Sequence, residues 1–369
     1  MIDQEGTKHS EYMQWAKLHS QARFNLATSG VQSVSSSEFP PIEELEITGT
    51  DSYGYKPLLE RIAQHAGAPV ECVVTAAGTS MANQLAMAAM LNPGDEVLIE
   101  QPAYGPLIDV ANYLGARVRR IERKFETAFA VDPHAIEKAL RPATRLIVLT
   151  NLHNPSGALI PEGTLRAIAA VAQDANIRVL VDEAYLEMLF APDVSFAFPI
   201  GASFGTDNPF IITNSLTKTH GLSGLRCGWI LAAPDLAHRI WRLNDLFGVN
   251  APHPAEQLSV LAFDRIDCFR ERARKLLNAN RVLLDDFLDS RSDLECFRPR
   301  AGSVVFPRLK RGDTEAFVKL LREKYETSVV PGKFFELPQH FRIGIGSGMA
   351  NVKAGLERLA EALDEFGKQ

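Results

Sequence analysis

The chain has 369 residues, of which 46% are hydrophobic and 23% charged, a composition typical of a globular protein with a large core. Its net charge of −6 provides no broad basic field, which disfavours nucleic-acid binding. The four cysteines are widely spread, which argues against a zinc site or a disulfide framework, and no apolar run approaches the roughly 20 residues of a membrane span.

The N-terminal part of the chain is polar. Residues 1–18 contain acidic side chains and do not resemble a signal peptide, so we expect a cytoplasmic protein. A serine-rich run precedes Pro40 and Pro41, and this predicts an extended loop over 29–41.

From about Tyr53, short apolar runs alternate with helical patterns. Helices are predicted over 81–91 and 161–174. Seven strands are predicted over 72–75, 96–100, 117–121, 146–150, 178–182, 210–214 and 226–232. Several of these strands are apolar throughout, which is typical of strands covered on both faces. The pattern predicts an α/β fold, with a mostly parallel seven-stranded sheet flanked by helices.

After Pro254 the pattern changes. Residues 262–289 are predicted to form one long charged helix. A smaller α+β unit follows, with strands over 302–308, 327–330 and 341–345 and helices over 313–324 and 351–366. We therefore predict an N-terminal segment (1–45) joining a small domain (291–369), a large domain (46–265), and a connecting helix (266–290).

Open α/β sheets bind ligands at the carboxyl ends of their strands, and three of the predicted strands end in suggestive turns. Gly78 and Thr79 open a helix after the first strand, where free N–H groups and a hydroxyl could hold a phosphate; a capped turn without a ligand is the alternative. Tyr104 could present a flat ring to a cleft or lie in the core. Asn154 is held extended by Pro155.

Two further turns carry charged residues. Asp182 ends an apolar strand, and a buried carboxylate needs a cationic or hydrogen-bonding partner; it either caps the next turn or holds a proton on a ring nitrogen. Lys218 lies in a hydroxyl-rich, glycine-punctuated loop, with Arg226 eight positions later. Such a loop suits a nucleophilic amine, although a solvated lysine would also fit it.

A phosphate cradle, a stacking aromatic ring, a carboxylate and a lysine together describe a site for pyridoxal 5′-phosphate. At this point the chain resembles the fold-type I pyridoxal-phosphate enzymes, specifically the class I/II aminotransferases. The resemblance extends from about Gly49 to the C-terminus. It rests on the blocks G-Y-K-P-L (54–58), N-P-G-D-E-V (92–97), P-A-Y (102–104), N-P-S-G (154–157), D-E-A-Y (182–185), S-L-T-K (215–218) with Arg226, and V-P-G (330–332) before Phe341-Arg342.

The resemblance implies a role for each matching residue. Lys218 forms a Schiff base with the cofactor and then moves the proton, and Asp182 pairs with the ring nitrogen. The residues implied in cofactor binding are Gly78, Thr79, Ser215 and Arg226 at the phosphate, Tyr104 stacked on the ring, and Asn154 and Tyr185 at the phenolic oxygen. Arg342 would bind the substrate α-carboxylate with its planar fork, and the loop around Gly30 would contact substrate.

The implied activity is transfer of an amino group from an amino acid to a 2-oxo acid in two half-reactions, by a homodimer. A lyase, decarboxylase or oxidase on the same scaffold is the first alternative. A non-catalytic ligand-sensing module is the remote one. The chain departs from the family pattern at Ala77 and Leu59, where a hydroxyl residue and an arginine are common. The resemblance leaves Tyr53 and Tyr55 as the two candidates for a tyrosine that many relatives supply to the phosphate of the partner subunit.

Several other patterns are discounted. S-x-x-K at 215–218 lacks the companion motifs of penicillin-binding enzymes, and G-I-G-S-G at 344–348 is followed by too little chain for a dinucleotide site. The histidines show no metal-ligand spacing, and a hydrogen-bonding loop role is expected for His153 and His220. The substrate pocket is expected to draw on Trp15, Phe24, the 29–30 loop and His220. No second arginine stands out, which favours neutral or aromatic substrates.

Overall fold

The computed structural model describes residues 8–42, 44–49, 52–190, 196–200, 205 and 207–368. The strands are β1 (Phe24–Asn25), β2 (Val73–Ala77), β3 (Glu96–Gln101), β4 (Arg117–Glu122), β5 (Thr144–Thr150), β6 (Arg178–Asp182), β7 (Phe210–Ser215), β8 (Cys227–Leu231), β9 (Leu294–Glu295), β10 (Val304–Val305), β11 (Arg308–Leu309), β12 (Thr327–Ser328), β13 (Val330–Pro331) and β14 (Phe341–Gly344). The helices are α1 (Glu11–Leu18), α2 (Lys56–Ala66), α3 (Gly78–Met90), α4 (Gly105–Tyr113), α5 (Pro133–Ala139), α6 (Glu162–Asp174), α7 (Ala197–Ile200), α8 (Pro234–Asn244), α9 (His253–Phe263), α10 (Ile266–Asp289), α11 (Thr314–Tyr325) and α12 (Met349–Phe366).

A seven-stranded sheet in the order β2-β8-β7-β6-β5-β3-β4 forms the centre of the molecule. The contacts β7–β6, β6–β5, β5–β3 and β3–β4 are all parallel. Strand β8 runs against both of its neighbours, β2 and β7. The predicted fold class, a mostly parallel α/β sheet of seven strands, is therefore confirmed.

Both faces of the sheet are covered by helices, as the apolar strands require. Alternate residues of β5 enter two different cores: Ile147 and Leu149 lie in one, Leu146 and Val148 in the other. The first core is closed by α2, α5, α6 and α9, and the second by α3, α4 and α8. Two-sided burial explains why the strands lack the alternation of polar and apolar residues seen in half-exposed sheets.

A third core lies where α10, α11 and α12 pack around short strands. Strand β14 lies between β10 and β13 and is antiparallel to both. Strand β1 pairs in parallel with β12, matching Phe24 with Thr327. This pairing supports the prediction that the N-terminal segment joins the C-terminal part, while the exact domain bounds stay a prediction.

The prediction of one helix over 262–289 is wrong. Helix α9 ends at Phe263 and α10 begins at Ile266, because Arg265 adopts a non-helical conformation with φ −125° and ψ 20°. Phe263 and Phe269 are both buried in the same core, yet six residues apart they would point about 120° away from each other on a continuous helix. The break allows both rings to face the core.

Two predicted strands of the C-terminal unit are each divided. Residues 302–308 contain Pro307, and strand pairing occurs on either side of it, in β10 and β11. Residues 327–330 change partner at Val329, since β12 pairs with β1 whereas β13 pairs with β14. None of the described helices is both long and apolar enough to cross a membrane.

Candidate active site

The predicted site residues converge at one edge of the central sheet. Strands β3, β5, β6 and β7 are adjacent and parallel, so their carboxyl ends meet there. The predicted residues at or just beyond these ends are Tyr104, Asn154, Asp182, Tyr185, Ser215 and Lys218. Gly78 and Thr79 join them from the start of α3, since β2 lies two strands from β7.

The amine of Lys218 is held by a hydroxyl from the N-terminal segment. Lys218 Nζ donates to Ser29 Oγ at 3.1 Å, and Tyr185 Oη donates to the same oxygen at 2.8 Å. The backbone oxygen of Ser29 accepts from Ser303 Oγ, which ties this loop to the C-terminal unit. Ser29 therefore connects two predicted site residues, whereas the sequence predicted its loop only as part of the substrate pocket.

Gly30 lies directly against the lysine. The next residue, Val31, donates its N–H to the carbonyl oxygen of Lys218 at 2.9 Å. A Cβ added at Gly30 would lie 3.4 Å from Lys218 Cδ, closer than most such contacts. The absence of a side chain at Gly30 thus leaves room for the lysine beside the N-terminal loop.

Asp182 is buried behind the lysine and has neutral hydrogen-bond donors. Its Oδ2 accepts from Asn83 Nδ2 at 2.8 Å and its Oδ1 from the N–H of Ala184 at 3.1 Å. Asn83 is held in turn by Thr213 Oγ1 at 2.6 Å. Burial raises the pKa of Asp182, while Asn83, Ala184 and the charge of Lys218 act in the opposite direction. A buried carboxylate of this kind fits a protonated ring nitrogen.

Asn83 was missed by sequence reasoning. It lies on α3, whose neighbouring residues Ala82, Leu85 and Ala86 are fully buried. A polar amide within the sheet-facing side of an apolar helix needs a buried partner. That placement was the available signal, but it does not identify Asp182 as the partner.

The start of α3 brings together polar groups that suit a phosphate. Arg226 Nη2 donates to the carbonyl oxygen of Ala77 at 2.9 Å, and Thr79 Oγ1 donates to Ser215 Oγ at 2.9 Å. Gly78 has φ +78°, and a Cβ there would lie 2.4 Å from Arg226 Nη2. The free N–H groups of the first helical turn, two hydroxyls and an exposed guanidinium are suitable ligands for a dianion.

Arg342 is a buried cation whose hydrogen-bond acceptors are neutral. Its Nη1 donates to Asn154 Oδ1 at 2.8 Å, and its Nη2 to the carbonyl oxygen of Ala27 at 2.8 Å and to Tyr12 Oη at 3.3 Å. Its Nε is buried without a hydrogen-bond partner, and the guanidinium carbon lies 5.2 Å from the Phe335 ring centroid. Burial of a guanidinium among neutral groups is unfavourable, so this site suits an anionic ligand.

Tyr104 is fixed by helix α1, which the sequence did not predict. The rings of Tyr104 and Tyr12 meet edge to face at 5.2 Å, and Tyr104 Oη donates to Met13 Sδ at 3.4 Å. Burial raises the pKa of Tyr104 well above its usual value of 10.0, so the phenol stays neutral. Trp15 of the same helix packs on Phe334 with ring centroids 5.4 Å apart.

The remaining expected residues lie in different surroundings. Phe24 belongs to β1 and its ring contacts the Arg23 guanidinium, at 5.2 Å. His153 bonds Ser156 Oγ at 2.6 Å and the carbonyl oxygen of Pro102 at 3.0 Å, and burial lowers its pKa well below 6.5. His220 points to Glu187, with His220 Nε2 3.4 Å from Glu187 Oε2. Among the described residues no group of His, Cys, Asp and Glu side chains could hold a metal ion.

Comparison with known proteins gives a consistent result. Residues 47–363 match the family model for aminotransferase class I and II. The chain is 28% identical to an arginine–pyruvate transaminase of Pseudomonas aeruginosa over 84% of this chain and 81% of that protein. It is also 28% identical to a capreomycidine synthase of Streptomyces vinaceus, over 93% and 90% respectively. A solved pyridoxal-phosphate-dependent aminotransferase from Streptococcus suis superposes with a TM-score of 0.89 at 24% identity, covering 98% of this chain and 100% of that one.

Proposed function

Because this chain belongs to the class I and II aminotransferases, which are pyridoxal-phosphate-dependent enzymes, we propose that Lys218 is the residue that binds the cofactor covalently. The enzyme transfers an amino group from an amino acid to a 2-oxo acid. The observation that carries the proposal is the position of the Lys218 amine, 3.1 Å from Ser29 Oγ at the carboxyl edge where Asp182, Tyr185 and the cradle also lie.

The residues present fit pyridoxal phosphate at both ends. The start of α3 with Arg226 offers donors to the phosphate, and the buried Asp182 offers a carboxylate to the ring nitrogen. When bound, the cofactor supplies an aldehyde that condenses with amines and a ring that withdraws electrons from the substrate Cα.

The residues of the protein would hold the cofactor and the substrate and would move protons between them. Asp182 holds the proton on the ring nitrogen. With the cofactor bound, the amine of Lys218 would accept and return the proton at the substrate Cα. Asn154 Oδ1 accepts from Arg342, which leaves Asn154 Nδ2 free to donate to the phenolic oxygen beside Tyr185. Arg342 binds the substrate carboxylate, since its partners in the free site are all neutral.

A spectroscopic titration tests the proposal. Purified protein supplied with pyridoxal phosphate is expected to show the visible absorption of lysine-bound cofactor. Addition of neutral, aromatic or basic amino acids one at a time should bleach the band with the true donors, and a 2-oxo acid should restore it. A protein that never acquires the band with excess cofactor would contradict the assignment of Lys218.

A second candidate reaction at the same site is suggested by two similarities. The similarity to capreomycidine synthase extends over 93% of this chain, and the solved pyridoxal-phosphate-dependent cyclase OrfR superposes over 99% of both chains with a TM-score of 0.88 at 22% identity. The alternative is a reaction that keeps or releases the amino group, as in a cyclase or lyase. A ¹⁵N-labelled donor separates the two: label in a new amino acid indicates transfer, whereas label in ammonia or in the rearranged donor indicates the alternative.

We also propose that the enzyme is a homodimer. A cavity of about 410 Å³ lies beside Ala77 of the phosphate cradle and is lined by Ile47, Trp241 and Asn250. Large apolar side chains are exposed around it: Ile47, Tyr53, Leu246, Phe247 and Val249. An exposed apolar patch that borders a ligand site is typical of a subunit interface. A second copy seated here could reach the cradle.

Two substitutions in the exposed apolar patch test the proposed dimer. Leu246→Asp combined with Val249→Asp is expected to shift the protein to a monomer in light scattering at micromolar concentration, because two charges would be buried in the interface. Val282→Asp is the matched control, since Val282 is 60% exposed on α10, as Val249 is 61% exposed in the patch. A wild-type protein that is already monomeric would disprove the proposal.

The proposed location of the enzyme is the cytoplasm. Cys227, Cys268 and Cys296 form no disulfide bond, and Cys227 is buried, which fits a reducing compartment.

A further inference from the structure

A buried carboxylate and two imidazoles lie beneath the loop that carries Lys218. Glu187 Oε2 is 3.2 Å from His65 Nε2 and 3.4 Å from His220 Nε2. Glu187 Oε1 accepts from Asn214 Nδ2 at 3.4 Å. We call these four residues the Glu187 cluster. No role assigned so far to the active-site residues uses it.

The Glu187 cluster is buried, so the electrostatic interactions between its members are strong. The Glu187 and His220 side chains are 4% and 0% exposed, and the ring of His65 packs on Trp229 and Phe263. Burial alone would raise the pKa of Glu187, but the two imidazoles lower it well below 4.5. Burial likewise opposes protonation of His65, and Glu187 outweighs it, so the pKa of His65 is raised above 6.5.

Other charges face the cluster from neighbouring elements. From α10, Arg270 lowers and Asp267 raises the pKa of His65. Glu183 lies on the other side, where burial and then Glu187 raise its pKa to about 8. Glu183 is thus mainly neutral at physiological pH, which leaves Glu187 as the anion that the imidazoles share.

The cluster links the segments that carry the proposed catalytic groups. Glu187 lies in a 3₁₀ turn, Leu186–Leu189, immediately after Tyr185. Asn214 belongs to β7, and its Oδ1 accepts the N–H of Ser215 at 2.7 Å. His220 follows Lys218 by two residues. One carboxylate therefore contacts the end of β7 and the lysine loop, and it is anchored by His65 to α2.

We propose that Glu187 is a positioning residue that holds the Lys218 loop through His220 and Asn214. It contacts neither the Lys218 amine nor the cradle in the arrangement described, and acts by fixing the backbone from which Lys218 projects. The carboxylate of Glu187 faces both imidazoles within 3.4 Å and accepts from one amide, so removing its charge leaves the imidazoles without an anionic partner in a buried site. This inference rests on the proposed role of Lys218.

The test compares Glu187→Gln with Glu187→Asp in the full-length protein. We expect Glu187→Gln to increase amide hydrogen exchange of residues 214–221 in the cofactor-free protein and to lower kcat by about 10- to 100-fold, since small displacements of a catalytic group have effects of this size. The KM for the amino donor should change less than about twofold, because the donor carboxylate is bound at Arg342. Glu187→Asp keeps the charge, so its exchange rate and its kcat should lie between those of the wild type and those of Glu187→Gln.

Glu96→Gln is the matched control. Glu96 is a buried carboxylate that pairs with Arg119 at 2.9 Å, but it lies at the opposite end of β3 from the site. Its loss should destabilise the protein without affecting exchange at 214–221 or kcat. This comparison separates positioning of the loop from a general loss of stability.

The pH dependence gives a second readout. Because the pKa of His65 is raised in the folded protein, protonated His65 stabilises the fold below about pH 6.5. This stabilisation is lost as the pH rises through the raised pKa. Because the pKa of Glu187 is lowered, ionised Glu187 stabilises the fold above about pH 4.5, and this stabilisation is lost as the pH falls through the lowered pKa. The Tm difference between wild type and Glu187→Gln should therefore be largest in the mildly acidic range and shrink towards alkaline pH.

Unchanged exchange at 214–221 together with an unchanged kcat in Glu187→Gln would overturn the inference, and so would an equal effect in Glu96→Gln. These outcomes do not bear on Lys218, whose role is judged separately from Lys218→Ala. If Glu187→Gln does not fold, His220→Gln and Glu187→Asp provide the same measurements, and loss of kcat without faster exchange in both would count against the proposal.

Discussion

Replacement of Lys218 by alanine is expected to remove the visible absorption of covalently bound cofactor and to reduce transamination by about 10⁴-fold or more. In the role proposed for Lys218, two contributions are lost together: the nucleophilic amine, and the group that moves the proton at the substrate Cα. Cofactor should still bind reversibly, because the cradle at Gly78, Thr79 and Arg226 does not involve the lysine. Equilibrium dialysis and single-turnover kinetics measure the two effects.

Two control variants make the result specific. Lys218→Arg keeps a cation beside Ser29 and Tyr185 but has no amine that can condense with an aldehyde, so it should be as inactive as the alanine variant. Lys324→Ala removes a surface lysine that pairs with Glu365 and should retain full activity. A Lys218→Ala protein that still transaminates would show that another amine performs the reaction.

Replacement of Asp182 by asparagine is expected to lower kcat/KM by about 10²- to 10³-fold, the usual effect of losing one preorganised electrostatic partner in an active site. A neutral amide cannot hold a proton on the ring nitrogen, so the ring withdraws electrons less effectively. The KM for the 2-oxo acid should change little, because Arg342 and the cradle are unaffected. Steady-state kinetics of both half-reactions check this result.

The free energy of unfolding of Asp182→Asn should hardly change, although its activity falls. An asparagine at 182 has one acceptor for the two donors Asn83 and Ala184, so one hydrogen bond worth about 1 kcal/mol is lost. Removal of a buried charge, whose burial raises the pKa of Asp182, offsets that loss. Urea unfolding of the cofactor-free protein should give a free energy within about 1 kcal/mol of wild type. A large destabilisation with normal activity would make Asp182 a structural residue.

The central sheet could be predicted because each of its buried strands is recognisable from its own residues. Strands β3, β5, β6 and β7 are each a short, largely apolar run covered on both faces, and the polar residue that follows each of them must lie at the carboxyl edge. For this reason Asp182, Asn154 and Lys218 could be placed near one another from order and spacing alone.

The parts that could not be predicted depend on contacts between distant segments. Ser29 and Tyr12 reach the site because β1 pairs with β12, and nothing in residues 8–30 specifies that register. Asn83 is one amide within an apolar helix, and its partner is fixed only when α3 packs on β6 and β7. The break between α9 and α10 likewise arises because two rings must enter one core, and periodicity within the segment does not reveal it.

The pairing of β1 with β12 also has a consequence for synthesis of the protein. Phe24 lies opposite Thr327, so the loop that brings Ser29 to the lysine amine cannot dock until most of the chain has left the ribosome. The large sheet, whose strands are contiguous in sequence up to β8, can form earlier, since domains generally fold as units during translation. We therefore expect a nascent chain to form the start of α3 before it can enclose the cofactor, and stable cofactor retention to begin only once β12 has emerged from the ribosome.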